Sequence, residues 1–194
     1  KDNNGNIKVD QNGNLGITSS NTPVKVGNLD ADFNLGWINH FTYKGIDLGV
    51  VLSARVGGLA YSATQGILDY YGVSEVSASV RDNGGAPINN GKVDAQKYYQ
   101  TISTGEGGYG RYYLYSATNV RLQELSLNYT LPRKWFKNVA NVTLGVVGRN
   151  LWMIYCKAPF DPELSASTSS NYYMNVDYFM QPSLRNFGFN VKVQ

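Results

Sequence analysis

The sequence predicts an all-β fold and, within that class, an antiparallel transmembrane β-barrel segment with long extracellular loops. Three observations predict it. Five segments alternate apolar and polar residues with period two, the connections between them alternate short and long, and the composition supplies strands and turns rather than helices. Of the 194 residues only 16% are charged, while Gly (21) and Tyr (15) are plentiful, a profile that fits neither a helical bundle nor a disordered chain.

From Phe33 to Tyr43 the odd positions Phe33, Leu35, Trp37, Asn39, Phe41 and Tyr43 oppose the even positions Asn34, Gly36, Ile38, His40 and Thr42. After the tight corner Tyr43-Lys44-Gly45 the pattern resumes, with Ile46, Leu48, Val50, Leu52, Ala54 and Val56 opposing Asp47, Gly49, Val51, Ser53 and Arg55. Two period-two runs joined by such a corner make a hairpin. A third segment, about Thr118 to Leu131, slips phase: Val120 and Leu122 are apolar on even positions, Leu125, Leu127, Tyr129 and Leu131 on odd ones. Either a β-bulge near Gln123 and Glu124 returns both halves to one face, or the top of this strand projects beyond the apolar zone. The fourth segment alternates Ala140, Val142, Leu144 and Val146 against Asn141, Thr143, Gly145 and Val147, then runs through Arg149 to Trp152. The fifth sets Phe187, Phe189, Val191 and Val193 against Asn186, Gly188, Asn190 and Lys192.

The connections at Tyr43–Gly45 and Pro132–Asn138 are short, whereas Gly57–Ala117 and Cys156–Pro182 run to tens of residues. Outer-membrane barrels have brief periplasmic turns and extended extracellular loops, so the carboxyl-terminal side of this chain is expected to be periplasmic. Residues 1–32, rich in Asn and Gly, read as an extracellular loop with a short strand at Asn6–Val9, and residues 33–194 as barrel strands with long loops at 57–117 and 156–182. The polar faces carry Gly, Asn, Ser and Thr, which suits a wet or plugged lumen, and aromatic residues near the segment ends suit two interfacial belts. Because about eight strands are the practical minimum for a lipid-facing barrel, the rest of the sheet is expected outside these residues. The same alternation also serves a soluble β-sandwich that binds saccharides through a tyrosine-rich loop, and this alternative stays open.

Chemistry-bearing motifs are few. The net charge of +3 is scattered singly, with no basic stripe for nucleic acid. Cys156 has no partner for a disulfide and apolar neighbours, which makes it a passive thiol. His40 has no second His or Cys with which to hold a transition metal, so no metal and no cofactor is expected. The glycines at 105, 107, 108 and 110 lack the Lys-Ser/Thr ending of a phosphate loop. The glycosylation patterns at Asn128 and Asn141 fall within strands. Asp161 and Glu163 flank Pro162 without a further base or ligand, so acid–base catalysis has no constellation and an enzyme is not expected.

The long loop at 57–117 holds helix-like spacing at Ala60–Tyr71 and Asp94–Ile102, separated by the turn-rich stretch Asp82–Lys92. It ends in GEGGYGRYYLY, where Tyr109, Tyr112, Tyr113 and Tyr115 crowd around Arg111. Such rings offer large contact area with a hydrogen-bonding tip, for a sugar, a partner or simple loop packing.

Six ordered stretches carry a resemblance: VGNLDADFNLGWINHFTYKGIDLGVVLSARVGG, SATQGILDYYGVSEVSASVRDNGG, YSATNVRLQELSLNYTLP, GRNLW, KAPFDPELSAST and DYFMQPSLRNFGFNVKV. Together they are similar to the carboxyl-terminal barrel region of SusC-like TonB-dependent transporters, over nearly the whole chain beyond about Pro23. The resemblance implies import of a bulky glycan or peptide across a Gram-negative outer membrane by a barrel of 22 strands. It implies as partners the remaining barrel and plug, a SusD-like surface lipoprotein, outer-membrane lipid, and TonB through a segment outside these residues. Such transporters usually close on an aromatic residue, which the outward phase of the fifth segment would place at position 195. Carried over by position, Asp161 in KAPFDPE and Tyr178 in DYFMQPS belong to the last extracellular loop and, with Tyr109, Tyr112, Tyr113 and Tyr115, are candidates for ligand or partner contact. Asp47, Arg55, Arg121, Arg149 and Lys192 are candidates for facing the lumen or plug.

Overall fold

The structure, a computed structural model, describes residues 6–16, 25–103, 110–164 and 175–194. The chain divides into two units, one made of Lys1–Gly27, Ala60–Tyr115 and Ser165–Met180, the other of Asn28–Leu59, Ser116–Leu164 and Gln181–Gln194.

The second unit is a five-stranded antiparallel sheet. Its strands are β1 (Phe33–Tyr43), β2 (Ile46–Val56), β7 (Asn119–Thr130), β8 (Val142–Cys156) and β10 (Asn186–Val193), hydrogen-bonded in that order. Every strand coincides with a segment of period-two alternation, because only a pleated backbone sends all the apolar side chains of such a run to one side. Lys44, at φ 46°, and Gly45, at φ 84°, form the two-residue corner between β1 and β2, a conformation glycine adopts without strain. The predicted bulge is present: Val51 faces Glu124 and Leu52 faces Leu122, leaving Gln123 unpaired against β2. A second irregularity was not anticipated. Asn150, at φ 53°, lies between Arg149, paired with Glu124, and Trp152, paired with Leu122, so β8 bulges opposite the bulge of β7 and runs on to Cys156.

Among its described residues the first unit holds three short α-helices and small sheets. β3 (Leu59–Ser62) pairs in parallel with β9 (Val176–Asp177) in a sheet completed by β6 (Leu114–Ser116), and β4 (Ala86–Ile88) pairs with β5 (Gly91–Val93). Helix α1 (Ala63–Tyr70) is capped by Ser62, whose Oγ accepts from Gln65 N at 3.1 Å, and α2 (Glu75–Asp82) by Ser74, whose Oγ accepts from Ser77 N at 3.0 Å. Asp94 does the same for α3 (Ala95–Ser103), accepting from Lys97 N at 3.0 Å. A core of Leu15, Ile88, Val93, Tyr99, Ile102 and Tyr113 lies within this unit.

Three expectations need correction here. The turn-rich stretch Asp82–Lys92 carries the β4–β5 hairpin, and α2 precedes it where no element was expected. The expected strand at Asn6–Val9 is only a bridge between Val9 and Leu15, closed by Asp10, whose carboxylate accepts from Asn12 N and Asn14 N. The long loop at 57–117, expected to hold short surface helices, also supplies Ile88, Val93, Tyr99, Ile102 and Tyr113 to a buried core. Among the described residues no helix is long and apolar enough to cross a membrane.

Candidate functional site

Register converts five alternating strands into one two-faced surface. Phe41, Leu48, Leu127, Val146 and Phe189 are partners in succession, forming an apolar row across all five strands. The next row toward the short turns is Tyr43, Ile46, Tyr129, Leu144 and Val191. This face is bare: Val146 is 55% exposed, Phe189 75% and Phe187 80%. The rows between them project to the other side. One reads Thr42, Asp47, Asn128, Gly145 and Asn190, another His40, Gly49, Ser126, Val147 and Gly188. Backbone space matters there, for a Cβ on Gly145 would come within 2.1 Å of Asn128 Oδ1 and 2.7 Å of the Asn190 amide. The pattern is broken by Asn39 in the apolar row of Val50 and Leu125, and on the polar side by Ile38, Val51 and Val147.

All five charged candidates stand on the polar face, but their surroundings differ. Asp47 accepts from Thr42 Oγ1 at 3.0 Å. Arg149 Nε donates to Glu124 Oε2 at 2.8 Å across the strand pair, in an exposed ion pair. Lys192 is exposed, opposite Thr143. Arg55 Nη2 donates to the Leu29 carbonyl at 3.2 Å, and its buried Nε has no hydrogen-bond partner among the described residues.

Arg121 is the exception. Its side chain is only 5% exposed and that of Asp161 only 8%, and Nη2 and Nη1 reach the two carboxylate oxygens at 2.7 and 3.3 Å. Glu163 Oε2 lies 3.3 Å from the same Nη2, Asn119 Oδ1 accepts from Nε at 3.4 Å, and Ser183 Oγ donates to Asp161 Oδ2 at 2.6 Å. Burial pushes the Asp161 carboxyl up, but the Arg121 and Ser183 hydrogen bonds outweigh it and hold the group below the usual carboxylate range. The network ties β7 to the segments after β8 and before β10. Sequence reasoning singled out Arg121 and Asp161 separately; nothing in the sequence between them announces that they meet, 40 positions apart.

The tyrosine-rich group separates in the same way. Tyr113 is 2% exposed, and its hydroxyl donates to Asp69 Oδ2 at 3.0 Å, while Gln65 Nε2 and Ser74 Oγ donate to Oδ1 at 2.8 and 2.5 Å. Burial first, then the Asp69 charge, pushes the Tyr113 phenol far above its ordinary value, so it remains a neutral donor. Tyr115 is half-buried, Tyr112 and Tyr178 are exposed, and Tyr109 lies outside the described residues. Asp69, missed by sequence reading, also lines a cleft of about 310 Å³ with Tyr71, Ser77, Arg81, Tyr99 and Gln100. Among the described residues no group of three or more His, Cys, Asp or Glu could hold a metal ion.

A sheet with a bare apolar face, and with amides, glycines and charges on the other, is the wall of a membrane barrel. A soluble sandwich would cover that apolar face with a second sheet. Comparison with known proteins leads to the same class. No family model matches. The chain is 28% identical to TonB-dependent receptor P3 of Formosa agariphila over 197 residues, covering 97% of this chain and 19% of that protein. It is 27% identical to TonB-dependent receptor P39 of the same organism, over 81% of this chain and 16% of that protein. Among solved structures it is similar to the RagAB peptide importer in its closed-closed state (TM-score 0.54, 20% identity, 96% of this chain and 20% of that one). The open-open state gives a TM-score of 0.55 at 18% identity, over 97% and 20%. The chain thus spans about a fifth of the length of the curated relative it matches over most of its residues. The resemblance to SusC-like TonB-dependent transporters is borne out, and the fold is that of a barrel segment that does not close by itself.

Proposed function

We propose that this chain is a C-terminal part of the barrel of a TonB-dependent nutrient importer of a Gram-negative outer membrane. It takes up a glycan or a peptide with a SusD-like surface lipoprotein and draws energy through TonB. In this reading the short turns are periplasmic and the long connections extracellular. Asp47, Arg55, Arg149 and Lys192 line the lumen or meet the plug, and the exposed loop residues Tyr112 and Tyr178 touch a ligand or partner. Arg121, Asp161 and Tyr113 hold the loops in shape instead of contacting cargo.

The observation that carries the reading is the row Phe41, Leu48, Leu127, Val146 and Phe189, apolar in every member and exposed at its outer strand. In water such a face would be an aggregation site; against acyl chains it is the low-energy solution. Phe189→Arg in the native polypeptide is the direct test. A cation toward mid-bilayer costs roughly 2 to 4 kcal/mol, so the yield of heat-resistant, membrane-assembled protein should fall sharply. Unchanged assembly, or a water-soluble monomer that needs no detergent, overturns the proposal.

A further inference from the structure

The two short turns form a rim whose charge is one-sided. The corner at Lys44–Gly45 and the connection at 131–141 contain Lys44, Arg133, Lys134 and Lys137 and no carboxylate. They are neighbours, since Thr130 N donates to the Gly45 carbonyl at 2.7 Å, just before the 3-10 turn Arg133–Phe136. All four cations are exposed, and among the described residues every ion pair lies elsewhere. The nearest acid of the sheet, Asp47, points to the polar face and accepts from Thr42.

The rim also sits where the apolar face ends. Tyr43, the last residue of β1, shares an apolar row with Tyr129, and Lys44 Nζ lies 5.1 Å from the centroid of the Tyr43 ring, so this ammonium is on the apolar side of the sheet. Trp135 is 69% exposed and Val139 84%, which adds an indole and an aliphatic group to a basic turn. An amphipathic aromatic level with unpaired cations immediately outside it matches an anionic membrane surface.

We propose that this rim binds the phosphates of anionic glycerophospholipid headgroups, through Lys44, Arg133, Lys134 and Lys137, with Trp135 seated at the interface. The proposal rests on the reading of the sheet as a lipid-facing barrel wall. Lipid retention is measured by native mass spectrometry on the detergent-purified native polypeptide, supplied with phosphatidylglycerol, phosphatidylcholine, lipopolysaccharide or inorganic phosphate. The native protein should retain phosphatidylglycerol over phosphatidylcholine, and retention should weaken as salt rises. Arg133→Gln, Lys134→Gln and Lys137→Gln should each weaken it roughly fivefold, while Lys134→Arg with Lys137→Arg keeps it. Equal retention in the triple glutamine variant, no dependence on salt, selective retention of lipopolysaccharide, or displacement by inorganic phosphate at matching concentration each overturns the proposal. If the triple variant does not assemble, the salt series and the lipid preference of the native protein decide. A protein that needs detergent yet shows no lipid preference sinks this inference alone, whereas one soluble without detergent sinks the barrel reading beneath it.

Discussion

The helical unit and the five-stranded sheet obey opposite rules of burial. The first buries Leu15, Ile88, Val93, Tyr99, Ile102 and Tyr113 and turns Tyr71, Val76 and Tyr112 outward. The sheet buries Asn119, Arg121, Gly145 and Gly148, and leaves Phe41, Trp37, Leu127, Trp152, Phe187 and Phe189 exposed. One chain is therefore written for two solvents. The helical unit follows the hydrophobic effect of water, and the sheet follows a medium in which hydrogen bonds must close internally while apolar side chains are free to face out. The buried side chains of the sheet are polar, as expected where the protected side is a lumen.

The sharpest way to break this contrast is through the sheet's buried charge. Arg121→Ala leaves the Asp161 carboxylate enclosed without its bidentate partner, and the expected loss is about 3 to 5 kcal/mol in an unfolding titration of the membrane-assembled protein. Arg121→Met combined with Asp161→Leu should recover much of that loss, because a buried ion pair and an apolar pair of similar volume are often close in energy. The pH dependence has a definite sign. The folded-state pKa of Asp161 is lowered, so its contribution is complete above the unfolded carboxylate value of about 3.9 and is lost as pH falls through the folded value. Acid sensitivity between neutral pH and pH 5 would count against the assignment.

Phe189→Arg follows in size, and the helical unit supplies the next. Tyr113→Phe removes one of three donors to the buried Asp69 carboxylate and should cost about 1 to 3 kcal/mol of local stability, read by hydrogen exchange at α1 and α3. Assembly of the sheet should be untouched. A Tyr113→Phe protein with native protection in these helices would show that Asp69 is satisfied without it.

Much of the sheet was legible because its period is two. The limits of β1, β2, β7 and β10, the β1–β2 hairpin, the division into two faces and the bulge at Gln123 all follow from where apolar residues fall, whereas β8 runs beyond its expected end at Trp152 to Cys156. The bulge at Asn150 was not legible. Its positive φ sits inside a run, Gly148 to Trp152, whose apolar residues do not alternate strictly enough to reveal a change of phase. The Tyr113–Asp69 and Arg121–Asp161 contacts were hidden for another reason: they join residues 44 and 40 positions apart, and single-residue chemistry carries no record of its distant partner. α2 was missed because its eight residues, Glu75–Asp82, are short and mostly polar, and its Ser74 cap looks like one more turn residue.

The smallest expected effect gives the cleanest test of two-facedness, because it differs from the largest on the same strand by a single position. Asn190 is next to Phe189 and shares its strand, exposure class and neighbour β8, but it projects over Gly145 on the polar face. Asn190→Arg places a guanidinium among Asp47, Asn128 and the water or plug beyond them, where it is hydrated or paired, so assembly should change by less than about 1 kcal/mol. The same residue type one position away faces hydrocarbon. A sheet solvated equally on both sides would penalise the two substitutions alike, and equal assembly yields for Phe189→Arg and Asn190→Arg would remove the physical basis for a membrane-facing side. A strong loss for the first and near-native assembly for the second would fix the orientation of β10 and, through its register with β8, of every row joined to it.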